Sequence, residues 1–168
     1  KLLRQGKLDG AIAEYVRLTE EQPKDWNSIN ALGDLYARAG QVENAVAQFL
    51  RIADYLHAEG FHPRAAAVYK KILKLKTDDE HPLLQLADIA TRQGVFVDAK
   101  MYYRALADRR LKKGDQFGYT QIIIKLGEVD PNDSESKIQA ARAAHGINDT
   151  PRAIALLTDA ANVLEKQK

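Results

Sequence analysis

The chain has no cysteine, which excludes disulfides, thiol catalysis and thiolate metal sites and leaves the redox compartment open. No apolar run approaches the roughly 18 to 20 residues of a membrane-crossing helix, so no membrane insertion is expected. The opening KLLRQGKLDG lacks the hydrophobic core of a signal peptide, and a cytoplasmic location is the default expectation. An excess of one charge is missing too: a net +2 over 168 residues produces no global field that selects nucleic acid or a membrane surface. Nowhere do apolar and polar residues alternate with period two over a useful length, so no strands are expected. There is no P-loop, no G-x-G-x-x-G, no G-x-S-x-G and no H-E-x-x-H, and neither an enzyme nor a cofactor is expected. What is present, 45% hydrophobic and 29% charged residues, is the composition of a chain that folds around a sizeable core.

The chain repeats itself. Laying residues 1–54, 55–108 and 109–162 under one another without a gap aligns Gly6, Gly60 and Gly114; Asp25, Asp79 and Asp133; Ala45, Ala99 and Ala153; and Ala53, Ala107 and Ala161. Apolar columns keep the same register: Tyr15, Tyr69 and Ile123; Leu18, Ile72 and Leu126; Phe49, Tyr103 and Leu157. A 54-residue period signals stacked units that bury their faces against neighbours. Each small Ala of the 45 column should leave room for a close helix, and the large residue four positions later should fill the gap on the same face. The three aligned Asp residues precede apolar periodic segments and read as N-caps. Pro63 and Pro151 fall at helix starts, where no hydrogen bond is lost. Gly60 and Gly114 should end long helices in left-handed C-caps. The periodicity predicts helices over 8–22, 26–39, 42–59, 62–76, 80–93, 96–113, 116–129, 134–146 and 150–166.

Gly6, Gly40, Gly60, Gly94 and Gly114 are separated alternately by 34 and 20 residues. Within the longer step Leu32, Gly33, Tyr36, Gly40, Ala45 and Phe49 resemble the tetratricopeptide (TPR) signature, with Pro23 and Pro131 at the place of its closing proline. Leu86, Ala87, Gly94, Ala99 and Tyr103 repeat the pattern, and Ala140, Ala141, Ala153 and Leu157 match it more weakly. The resemblance covers the whole chain and implies an all-α, right-handed helical solenoid, a superhelix of about nine helices. The 20-residue step implies that one long helix serves two motifs: 42–59 packs back through Ala45, Phe49 and Ile52 and forward through Ala53 and Leu56, and 96–113 does the same. The reading is one repeat domain over 1–168, with units 1–54, 55–108 and 109–162. Residues 163–168 begin a further unit or cap the array. Lys1–Gly6 aligns with the exit of a long helix, so the chain is expected to be a piece of a larger polypeptide.

The TPR resemblance implies a non-enzymatic scaffold or adaptor that binds a peptide or helix in a concave groove lined by the first helix of each motif. Outward positions there are Asn27, Asn30, Asp34 and Arg38, then His81, Leu84, Asp88 and Arg92, then Glu135, Ile138 and Arg142. Some TPR domains clamp a terminal carboxylate with Lys and Asn; here Asn30 stands where Lys would and Asp34 where Asn would. Asp34 would repel such a group, so a different ligand mode is expected, with apolar anchors and Arg38, Arg92 and Arg142 reading acidic or polar groups. Departures from the repeat give three aromatic candidates: Trp26 against Glu80 and Ser134, Phe61 against Lys7 and Asp115, and Phe117 against Asp9 and Pro63. Such residues cover a loop, staple a helix start, or anchor a partner. Two alternatives remain open, self-association through exposed unit ends and an anionic partner on Lys70, Lys71, Lys74 and Lys76 or Arg109, Arg110, Lys112 and Lys113. Near-neutral charge and the absence of interleaved aromatics count against nucleic acid. His57, Glu59 and His62 have ligand-like spacing, but they straddle Gly60 and the other units place Leu and Gln at the histidine positions, so no metal site is expected.

Overall fold

The computed structural model describes residues 2–167, with side chains from residue 6 onward, and the chain divides into two compact units, 1–82 and 83–168. The first holds α1 (Leu2–Glu21), α2 (Trp26–Arg38), α3 (Val42–Ala58) and α4 (His62–Leu75). Helix α5 (Glu80–Arg92) starts at its end and lies mostly in the second, with α6 (Phe96–Lys112), α7 (Gln116–Val129), α8 (Ser134–Gly146) and α9 (Thr150–Lys166). The described residues contain no strand. Helices α2, α5 and α8 start at 26, 80 and 134, and α3, α6 and α9 at 42, 96 and 150, so the period of 54 recurs in the backbone.

Local chemistry sets the boundaries. Asp25 accepts from the backbone N–H groups of Asn27 and Ser28, Asp79 from that of His81, and Asp133 from that of Ser136, each satisfying helix-end donors that have no intrahelical partner. Pro63 and Pro151 occupy the first turns of α4 and α9. At the other ends Gly40, Gly60, Gly94 and Gly114 take φ between +72° and +79°. The N–H after each reaches back five residues, as Gln41 to the Tyr36 carbonyl at 2.9 Å and Phe61 to Leu56 at 2.8 Å, closing the helix in a Schellman turn. Asn148 does the same with φ +62° in the column of Gly40 and Gly94, since asparagine best tolerates that region after glycine.

Two expectations need correction. Helix α1 starts at Leu2, well before residue 8, and runs through Gly6. Glycine permits a left-handed turn without dictating it, and Lys7 supplies no capping carboxylate of the kind Asp115 gives α7. Leu157, expected to fill the gap that Phe49 and Tyr103 fill, is 50% exposed while those two are 0% and 5% exposed; no helix covers its face of α9 among the described residues.

In the first unit α3 packs against both α2 and α4. Its Ala45, Phe49, Ile52 and Ala53 are buried, as are Ile29 and Leu32 of α2 and Ala65, Tyr69 and Ile72 of α4. In the second, α7 packs on α6, and α8 packs on both α7 and α9. Ile124, Ala140, Ala141, Ala144, Ala153 and Leu156 form its core cluster. Lys137 is buried there in the column of Ile29 and Leu83, its ammonium donating to the Gly127 carbonyl at 3.2 Å.

Candidate functional site

The first unit carries a cleft of about 530 Å³ where the start of α2, the second half of α3 and the start of α4 converge. Helix α2 enters on the Asp25 cap, which holds Trp26, Asn27 and Asn30 along one edge. The Schellman turn at Gly60 reverses the chain, so Phe61 and Arg64 come up opposite Tyr55 and Leu56. Trp26 stacks on Tyr55 with ring centroids 4.1 Å apart and planes 20° from parallel. Phe61 is 48% exposed, with the Arg64 guanidinium 5.8 Å from its ring centroid, a cation–π contact. Lys24 is the other cation on the lining. Asp25 is not free to face a ligand: hydrogen bonds from the Ser28 hydroxyl and backbone lower its carboxyl below the usual range.

Four sequence candidates thus meet in one place, Trp26, Asn27, Asn30 and Phe61. Tyr55, Leu56 and Arg64 complete the cleft and were missed. The signal that flagged Trp26 would have found Tyr55, whose column holds Arg109 and Val163.

The other candidates are dispersed or engaged. Asp34 accepts from Lys71 at 2.6 Å and from the Asn30 amide at 3.4 Å, so its charge is met within the fold and it is not the bare repulsive group expected. The same lysine sits 3.9 Å from the Phe49 ring centroid. His81 shares Asp54 with the Tyr69 hydroxyl, at 2.8 and 2.6 Å. Burial, then the Asp54 carboxylate, pushes the Tyr69 phenol far above its ordinary value. Arg92 bonds Asp88 one turn earlier on the same helix. Leu84 is half-buried and Arg38 exposed. Phe117, 65% exposed, lies on α7 outside these clefts. Ile138 and Arg142 line a second, more apolar cleft of about 390 Å³ between α8 and α9, with Ala153, Ile154 and Leu157.

The basic clusters are partly spent on internal pairs. Lys71 bonds Asp34, Lys76 bonds Glu43 at 2.8 Å, and Arg110 bonds Asp115 at 2.6 Å. The His57 and His62 rings lie 5.2 Å apart, yet no group of three or more potential metal-ligating side chains occurs among the described residues. No helix of the described residues is long and apolar enough to cross a membrane.

No family model matches the chain, and no curated protein matches it. Among solved structures it is similar to BtubC from P. vanneervenii, at 17% identity over 99% of this chain and 92% of that one, with a TM-score of 0.47. It is also similar to MamA, at 16% identity over 98% and 92% with a TM-score of 0.32, and to a tetratricopeptide repeat protein from Parabacteroides merdae, at 17% identity over 95% and 73% with a TM-score of 0.28. These are distant likenesses, and the fold stands on the chain's own helices. Antiparallel pairs that close a Gly or Asn turn around a small-residue column and recur every 54 residues make the chain an all-α, TPR-like helical repeat.

Proposed function

We propose that the chain is a protein-interaction module whose first-unit cleft takes a short segment of a partner protein, an apolar or aromatic anchor next to an acidic residue. One observation carries this reading. Trp26, Tyr55 and Phe61 face a single cleft, while the next repeat holds Glu80, Arg109 and Asp115 at the same three positions. The fold therefore needs no aromatic residue at any of them. Clustered, partly exposed aromatics with a cationic rim are the usual make-up of a binding hot spot, and Lys24 and Arg64 suit a carboxylate beside the anchor. Pairing of Lys71, Lys76 and Arg110 within the fold weakens the competing case for a phosphate backbone as the partner.

Trp26 is the one tryptophan of the chain, so its fluorescence reports on the cleft. Peptides selected from a random library on the immobilised chain should shift the Trp26 emission on binding. Tyr55→Arg and Phe61→Asp import residues that the next repeat already uses, so both variants should keep their circular dichroism and thermal midpoint. Each should weaken the selected peptides at least tenfold. Peptides that bind both variants as tightly as the parent chain would overturn the assignment.

A further inference from the structure

The column of Tyr69 changes character from one repeat to the next. In the first unit Tyr69 is fully buried, and its hydroxyl donates to the Asp54 carboxylate at 2.6 Å. One repeat later the two columns hold Ile123 and Asp108, so the acceptor is kept while its phenol is lost. An isoleucine supplies neither a ring nor a donor. The second unit has a cavity of about 190 Å³ at this place, between α6, α7 and α8, lined by apolar Ala107, Ile123 and Leu126 and by polar Arg104, Asp108 and Gln139.

The rest of α7 does not make good the lost ring. Tyr119, in the column of the buried Ala65, brings a ring one turn earlier on α7 and lines the cavity without closing it. Ile123 is half-buried where Tyr69 is wholly buried, so the space is open to solvent. A volume of about 190 Å³ is several times the roughly 30 Å³ share of one water, enough for a six-membered ring. The Ser136 hydroxyl on the lining already donates to Asp133 at 2.6 Å, and Asp108 supplies the lining's carboxylate. A flat ring lying on Ile123 and Leu126 with a hydroxyl at its far end meets both the apolar and the acidic part of this lining, as Tyr69 does in the first unit. Burial of the ring and a hydrogen bond to an ionised acceptor supply the affinity.

We propose that the α6–α7–α8 cavity is a binding site for the side chain of a partner protein's tyrosine, the ring seated on Ile123 and Leu126 and the hydroxyl donating to Asp108. The second unit thus takes from outside the group that the first unit carries within its own sequence. This inference goes beyond the peptide cleft of the first unit and uses none of its residues, so either assignment can fail without the other.

Methyl NMR of the whole chain tests it, with N-acetyl-tyrosinamide, N-acetyl-phenylalaninamide and p-cresol as probes. The tyrosine probe should shift the Ile123 and Leu126 methyl signals saturably, with the millimolar affinity expected of one side chain. The phenylalanine probe, which lacks the hydroxyl, should bind about fivefold more weakly, the worth of one hydrogen bond. Asp108→Ala alters an exposed residue, so its circular dichroism should be unchanged, and it should bind the two amino-acid probes equally. Ile123→Tyr places the chain's own ring in the cavity and should abolish the shift at Leu126. The proposal is overturned by Ile123 and Leu126 signals that do not move, by equal binding of the tyrosine and phenylalanine probes to the parent chain, or by a tyrosine preference that survives Asp108→Ala. Binding of p-cresol without N-acetyl-tyrosinamide would overturn it too, in favour of a site for a free phenol.

Discussion

Gly33 shows how a single position records its neighbour. A Cβ added there would meet the Phe49 ring at 2.6 Å, whereas the next repeats hold Ala87 with Tyr103 and Ala141 with Leu157 in the same columns. Gly33→Ala should destabilise the chain by about 1–3 kcal/mol, measured by urea unfolding, and Phe49→Leu in the same chain should recover part of the loss. A second residue-scale case is Lys100, which bonds Asp130 at 3.0 Å and Asp133 at 2.6 Å with all three side chains four-fifths buried or nearly so. Burial works to raise the Asp133 carboxyl, but hydrogen bonds from Lys100 and Ser136 outweigh it and hold the group well below the usual carboxylate range. A folded-state value below the unfolded one, near 3.9, means stability that is complete above about pH 4 to 5 and lost as pH falls through the folded value. Lys100→Ala should cost about 2–3 kcal/mol at pH 7 and flatten this acid dependence in melts recorded between pH 7 and pH 2. The Asp caps were legible because a cap is local. The Lys71–Asp34 and Lys100–Asp133 pairs were not, since partners 37 and 33 residues apart meet only once helix rotation and register are set.

At the scale of the helix, its punctuation carried most of what could be read. Glycines at 40, 60, 94 and 114 announce a chain reversal because only they enter the left-handed region without strain. Asn148 hid the fifth such turn, and a search of its column would have exposed it. Asn148→Gly should raise stability by about 0.5–1 kcal/mol, and Gly60→Ala should lower it by about 1 kcal/mol; thermal melts of the two variants should move in opposite directions. Exposure of an element's face was harder to read, because Leu157 has the same apolar character as its buried counterparts and differs only in lacking a covering helix. The α6–α8 cavity of about 190 Å³ is a related case. Ile123 lines it together with Asp108, in the columns where Tyr69 and Asp54 bond at 2.6 Å. Ile123→Tyr should fill the space and bring a hydroxyl to Asp108, raising stability by about 1 kcal/mol. A loss of that size would mean that the two repeats are not equivalent at this point.

At the scale of the whole molecule the repeat makes stability a sum of neighbour contacts. Helix α3 has packed neighbours on two sides, whereas the face of α1 bearing Tyr15 and Leu18 remains half-buried. Amide hydrogen exchange should therefore be faster around Tyr15 than around Phe49 in the dilute chain. The helical-repeat fold was legible because the same text recurs three times. The cleft was legible only in part: Trp26, Phe61 and Tyr55 each depart from their columns in the same way, but that the three meet depends on how α2, α3 and α4 pack.

The shared helix α3 also limits how a chain of this kind can change in length. Cutting out one 34-residue motif would strip α4 of the surface that buries Tyr69 and Ile72, and inserting one would leave a long helix with no place for its second half. Tandem duplication or deletion preserves every interface only when it moves a whole 54-residue block, wherever the two breakpoints fall, provided they share a phase. Viable length variants of this array should accordingly grow and shrink by three helices at a time.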